Sequence, residues 1–130
     1  MTEAHRGAPP AANALAAVAA LGTLLLPLNS TMVVVALPTI ASDLGGDVAS
    51  AAWLLTAYLI AMASLQPLGG RFGDRFGRRG VMLWALLYFG LVSALAPLAQ
   101  DLLQLTLVRL NQAVALSLFG PNALALLRDE

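Results

Sequence analysis

Long apolar runs dominate this chain, and charged residues cut them into four pieces. The embedded stretches run from about Leu15 to Leu37, Ala51 to Gly70, Gly80 to Gln100 and Leu102 to Leu127, the last interrupted only by Arg109. Each offers the ~20 mostly apolar residues that a helix needs to cross the hydrocarbon core of a bilayer. The alternation of apolar and polar positions that marks barrel strands is absent. The pattern therefore predicts an all-α membrane protein with four transmembrane helices. The first run is also too long for the ~7–15-residue core of a secretory signal and ends at no clear small-residue cleavage site, so it reads as a retained helix.

Composition agrees with this class. The 130 residues are 59% hydrophobic and 11% charged, with a mean hydropathy of +0.80, whereas soluble domains carry about 25% charged residues. A soluble fold of this size would leave too much apolar surface wet. Formal net charge is zero and all seven basic residues are arginine, which gives no nucleic-acid footprint. The absence of cysteine excludes disulfides and thiolate chemistry. The single histidine, His5, lies in a polar tail over residues 1–12, read as disordered and solvated. No phosphate loop, catalytic triad or metal-ligand cluster is present, so the reading is of a non-enzyme without cofactor or metal.

Arginine placement sets the expected orientation. With four spans, both termini and the middle loop share one side. That side holds Arg6, Arg71, Arg75, Arg78, Arg79 and Arg128, and the two opposite loops hold no basic residue. Cytoplasmic loops accumulate Lys and Arg, so the expectation is a multi-pass protein of the cell (inner) membrane with cytoplasmic termini. Trp53 suits an outer interfacial belt and Trp84 an inner one. Asp101 is placed to cap the fourth helix.

The densest charge lies in "GGRFGDRFGRRG", residues 69–80, read as a short cytoplasmic hairpin. Anchoring explains arginines there, but not Asp74 or the glycines. Gly70 near the end of a span would let a neighbouring backbone approach closely. Gly77 would permit the conformation of a tight turn. Asp74 can pair with Arg75 or Arg78 and sit against a helix N-terminus.

Gly70, Asp74, Arg75, Gly77, Arg78 and Arg79 fit G-x-x-x-D-[RK]-x-G-[RK]-[RK] at every specified position. In this they resemble the signature loop between helices two and three of major facilitator superfamily transporters. The resemblance implies that Asp74 helps latch the N-terminal half of a carrier to its C-terminal half. As a surface ion pair alone, the same carboxylate would contribute under about 1 kcal/mol.

Two further stretches extend the resemblance. "LNSTMVVVALPTIA", Leu28 to Ala41, is similar to the L-D-x-T-[IV]-V-N-V-A-L-P-x-I segment of fourteen-span drug:proton antiporters. Asn29 stands where that family has aspartate and Val34 where it has asparagine. An aspartate could titrate; Asn29 cannot, so any coupling role for that acid is missing. Asn29 can still hydrogen-bond across helices or to a substrate. Pro27 and Pro121 read as helix-breaking; Pro27, just before Asn29, would kink the first helix or free a carbonyl.

Arg109 lies about 10 Å inside the fourth span at 1.5 Å per residue. A charge at that depth marks a functional site by default. Gln112, three residues on, shares its face. With Pro121 they resemble the family's R-x-x-Q-G-x-G-x-x-x-x-x-P element, although Ala113 and Ala115 replace its glycines. There the arginine is associated with proton coupling; the alternative is snorkelling toward the headgroups. Small residues four apart (Ala57 and Ala61, Gly90 and Ala94, Ala113 and Ser117) read as helix contacts. Tyr58, Tyr88 and Phe89 could line a drug-like cavity, but packing or lipid contact is the preferred reading.

The resemblance makes residues 13–130 a partial N-terminal domain of such a carrier, one three-helix repeat plus the first helix of the next. It implies efflux of drug-like small molecules, proton involvement, the bilayer and the missing C-terminal helices as partners, and an N-terminal fragment inactive alone. Two alternatives stay open. One is a four-span small multidrug transporter acting as a dimer, although no acid lies inside any span. The other is a non-transporting membrane scaffold or partner subunit. Substrate, direction and coupling ion are not legible.

Overall fold

The computed structural model describes residues 10–128; His5, Arg6 and most of the expected tail lie outside that range. Among the described residues the chain forms α1 (Pro10–Asp43), α2 (Val48–Phe76), α3 (Arg78–Leu95), a 3-10 turn (Ala96–Leu98) and α4 (Leu102–Arg128). All four helices are long and apolar enough to cross a membrane, α3 together with its 3-10 turn. The all-α, four-span architecture is as expected. The helices extend past the apolar runs, however, because they continue through their polar ends until a cap or a glycine stops them. Thus α1 begins at Pro10, within the stretch expected to be a tail.

Two ends of the bundle are built differently. At one, Asp47 caps α2 by accepting from the Ser50 N–H at 2.8 Å, and Asp101 caps α4 by accepting from the Gln104 N–H at 2.7 Å. Two hydrogen bonds from Ser50 hold the Asp47 carboxyl below the usual value of 3.8. At the other end, the expected twelve-residue hairpin is not a loop. α2 runs on to Phe76, α3 starts at Arg78, and Gly77 alone separates them, with φ 93° and ψ 120°. Its N–H still bonds the Gly73 carbonyl at 2.9 Å. The chain reverses in one residue because glycine tolerates positive φ without a Cβ clash.

α4 is the hub and packs against each of the other three helices. Near the Gly77 end, Phe119 and Ala123 of α4 pack with Ala19 of α1 and Met82 and Ala85 of α3. In the middle, Tyr58 of α2 meets Ala113 and Leu116. Toward the capped end, Val33, Leu54 and Leu105 join three helices. Large apolar side chains point outward, Trp53 at 70% and Trp84 at 72% exposure, while Gln112, Ser117 and Asn122 are buried. Lipid is as apolar as leucine, so a membrane bundle closes on small and polar residues instead.

The α2–α4 seam shows this most clearly. A Cβ on Gly69 would collide with the Ser117 carbonyl, and one on Gly73 with the Asn122 side chain. Asn122 donates to the Gly69 carbonyl at 2.9 Å. Pro121 has no N–H, so the Ser117 carbonyl loses its helical donor and lies bare against Gly69. The close approach expected at Gly70 therefore falls on Gly69 and Gly73, since a Cβ on Gly70 would meet only the Pro121 ring at 4.0 Å. Nor do Pro27 and Pro121 break helices: α1 and α4 run through both. The Thr31 hydroxyl donates to the Pro27 carbonyl at 2.8 Å. Ala113 and Ser117 are buried as the spacing suggested, whereas Gly90 faces open space.

Candidate functional site

The polar residues of the interior converge on Arg109. Its Nη1 donates to Asn29 Oδ1 at 3.0 Å and to Gln112 Oε1 at 2.9 Å. Gln112 Nε2 in turn donates to Ser93 Oγ at 2.9 Å. One guanidinium thus ties α1, α3 and α4 together across a sequence separation of 80 residues from Arg109 to Asn29. Tyr58 of α2 packs further along α4, against Ala113 and Leu116. The Arg109–Gln112 contact was legible from helical spacing. Ser93 was missed: one serine in an apolar helix carries no local signal.

The cluster is incompletely satisfied. Asn29 Nδ2, Tyr58 OH and Arg109 Nε are buried without a hydrogen-bond partner. Arg109 forms no ion pair, and the one ion pair among the described residues is Asp74–Arg78. The arrangement holds a cation in the bundle by neutral acceptors alone.

The arginine-rich corner is separate from this cluster. Asp74 Oδ1 accepts from both Arg78 Nε at 3.2 Å and Arg78 Nη2 at 3.0 Å. The pair bridges Gly77, from the last turn of α2 to the first residue of α3. Positive charge is unfavourable at a helix N-terminus, and the carboxylate offsets it there. Asp74 is 65% exposed, which leaves it open to contact from outside the chain. Arg75 stacks over the Phe76 ring at 5.6 Å instead of pairing with Asp74. Arg71 and Arg79 are exposed. Beside the corner, an apolar groove of about 610 Å³ is lined by Phe72, Phe76, Val81, Trp84, Tyr88 and Leu118; it shares no residue with the Arg109 cluster.

The Major Facilitator Superfamily model matches residues 19–129. The chain belongs to this superfamily.

Among curated relatives, it is 41% identical over 108 residues to the MFS-type transporter YvkA of Bacillus subtilis, covering 83% of this chain and 24% of that protein. It is 43% identical over 104 residues to the puromycin resistance protein pur8 of Streptomyces alboniger, covering 80% and 21%. With the tetracenomycin C resistance and export protein of Streptomyces glaucescens it shares 35% over 109 residues, covering 84% and 20%. The chain thus spans a quarter or less of the length of these relatives. It is a multi-pass membrane protein of a transporter superfamily, which sets aside the small multidrug reading.

Proposed function

We propose that this chain supplies the first four helices of a secondary carrier that exports drug-like small molecules by alternating access. The observation that carries the reading is Arg109, held inside the bundle by Asn29 of α1 and Gln112 of α4. A half-buried cation bonded across the bundle, in a chain related to resistance and export proteins, supports a role for Arg109 in the substrate and coupling pathway. Carriers of this architecture place that pathway between helices near the midplane.

In this reading, Gly70, Asp74, Arg75, Gly77, Arg78 and Arg79 form the conformational switch. The exposed Asp74 latches onto the half of the carrier contributed by further helices. The arginine-bearing end faces the cytoplasm, by the positive-inside bias. Asn29 does not titrate, so a proton would have to couple elsewhere.

The test uses the complete carrier with this chain as its first four helices. Arg109→Lys keeps the charge but replaces the rigid guanidinium, whose Nη1 donates to both acceptors, with a shorter, freely rotating ammonium. Efflux of a fluorescent drug should fall by about tenfold or more, given the ~1.5–3 kcal/mol typical of a charged hydrogen bond. Efflux at the unsubstituted rate would overturn the assignment of Arg109. Separately, a reporter fused after Phe76 should be cytoplasmic; an external reporter would overturn the orientation.

A further inference from the structure

Two cavities share one aromatic wall at the Gly77 end of the bundle. On one side, the apolar groove of about 610 Å³ runs along α3 from Gly80 to Tyr88, with Val114 and Leu118 of α4 also lining it. On the other, a cavity of about 370 Å³ is lined by Leu68, Arg71 and Arg75 of α2. Phe72 and Phe76, stacked with ring centroids 5.7 Å apart, line both. Helical spacing puts Leu68, Arg71, Phe72, Arg75 and Phe76 on one face of α2, and both arginines are exposed. Among the described residues no carboxylate lines either cavity. The one ion pair of the corner joins Arg78 to Asp74, so the charges of Arg71 and Arg75 are uncompensated.

An apolar groove beside two unpaired guanidiniums is complementary to an amphiphile of negative charge. From Gly80 to Tyr88 the groove extends about 12 Å toward the bilayer centre at 1.5 Å per residue, close to the ~15 Å of hydrocarbon in one leaflet. A second copy of the chain would set like charge against like, because a two-fold interface opposes the same patch to itself. An apolar helix could fill the groove but would offer the guanidiniums no counter-charge. We propose that the Phe72–Phe76 ridge and the two cavities beside it bind an anionic phospholipid. One acyl chain lies in the groove against Trp84 and Leu118, and the phosphate accepts from Arg71 and Arg75. Basic pockets at the ends of membrane helices hold anionic headgroups by the same attraction. The site is built from this chain's own helices and does not rest on the export reading.

The test uses the full 130-residue chain with Trp53→Phe, which leaves Trp84 as its one tryptophan. The chain is reconstituted in phosphatidylcholine vesicles that contain a small fraction of phosphatidylglycerol or phosphatidylcholine brominated on the acyl chains, which quench a tryptophan on contact. Brominated phosphatidylglycerol should quench Trp84 with a preference of about 25-fold over brominated phosphatidylcholine, about fivefold for each arginine. Arg71→Gln should lower that preference about fivefold, and Arg71→Gln combined with Arg75→Gln should abolish it. Arg128→Gln removes a cation from the same end of the bundle but outside both cavities and should leave the preference unchanged. Glycerol phosphate should not displace the brominated lipid, because it has no chain for the groove. Equal quenching by the two lipids, a preference retained in the double variant, or an equal loss in Arg128→Gln would each overturn the proposal. Displacement by glycerol phosphate would overturn it in favour of a free-anion site, and a cross-linked dimer in which neither lipid quenches would do so in favour of a second copy. The quenching that disappears with Trp84→Phe should persist in the complete carrier; its loss there would assign the groove to a further helix and overturn the proposal.

Discussion

Two adjacent glycines on α2 should respond in opposite ways to the same added methyl group. In Gly69→Ala the new Cβ would meet the Ser117 carbonyl carbon and oxygen and Leu118 Cα, all backbone atoms of α4. A side chain could swing aside; a helix backbone cannot, so α2 and α4 must separate. Overpacking of this kind costs about 1–3 kcal/mol. Separation also stretches the 2.9 Å bond from Asn122 to the Gly69 carbonyl, and such bonds in membranes contribute roughly 0.6 kcal/mol. Against this stands the gain of about 1 kcal/mol for alanine over glycine in a helix interior. The net expectation is a loss of about 0.6–2.6 kcal/mol. Gly70→Ala receives the same propensity gain but meets only the Pro121 Cβ at 4.0 Å, an ordinary contact. It should be neutral or stabilise by up to about 1 kcal/mol. Reversible unfolding in mixed micelles, monitored by Trp53 and Trp84 fluorescence, measures both. If Gly69→Ala proved as stable as Gly70→Ala, the seam described between α2 and α4 would be wrong.

Three other outcomes follow from the same structure. Gly77→Ala places a Cβ at φ 93° and should cost about 1–3 kcal/mol in the same unfolding assay; no loss would mean that the corner does not adopt this backbone. Asp74→Asn removes an ion pair with an exposed carboxylate and should change the chain's stability by under about 1 kcal/mol, less in high salt. In the complete carrier that variant should instead shift cysteine accessibility between inward- and outward-open states, and unchanged accessibility would count against the latch. The Asp47 cap depends on a carboxylate whose folded value is depressed below 3.8. Its stabilisation is therefore fully present above about pH 5 and is lost as pH falls through the folded value. The melting difference between the parent and Asp47→Ala should be flat from pH 5 to pH 8 and shrink only in stronger acid; a difference that varies between pH 5 and pH 8 would contradict it.

The sequence by itself determined what depends on neighbours along the chain. Four apolar stretches long enough to span, the reversal at Gly77, the cap at Asp101 and the shared face of Arg109 and Gln112 all follow from the geometry of a single helix or turn. Tertiary structure decided how each helix is rotated about its own axis. In a soluble protein the apolar stripe announces that rotation, but here nearly every face is apolar, and lipid accepts any of them. Which glycine meets α4 (Gly69, not Gly70), why Asn122 is buried, and how Asn29 and Ser93 join the network around Arg109 were therefore settled only when the helices packed. Polar groups in a bilayer have no solvent to turn to, so the hydrogen bonds they make with one another and the close approach of small residues, and not the sequestering of oil from water, favour this arrangement.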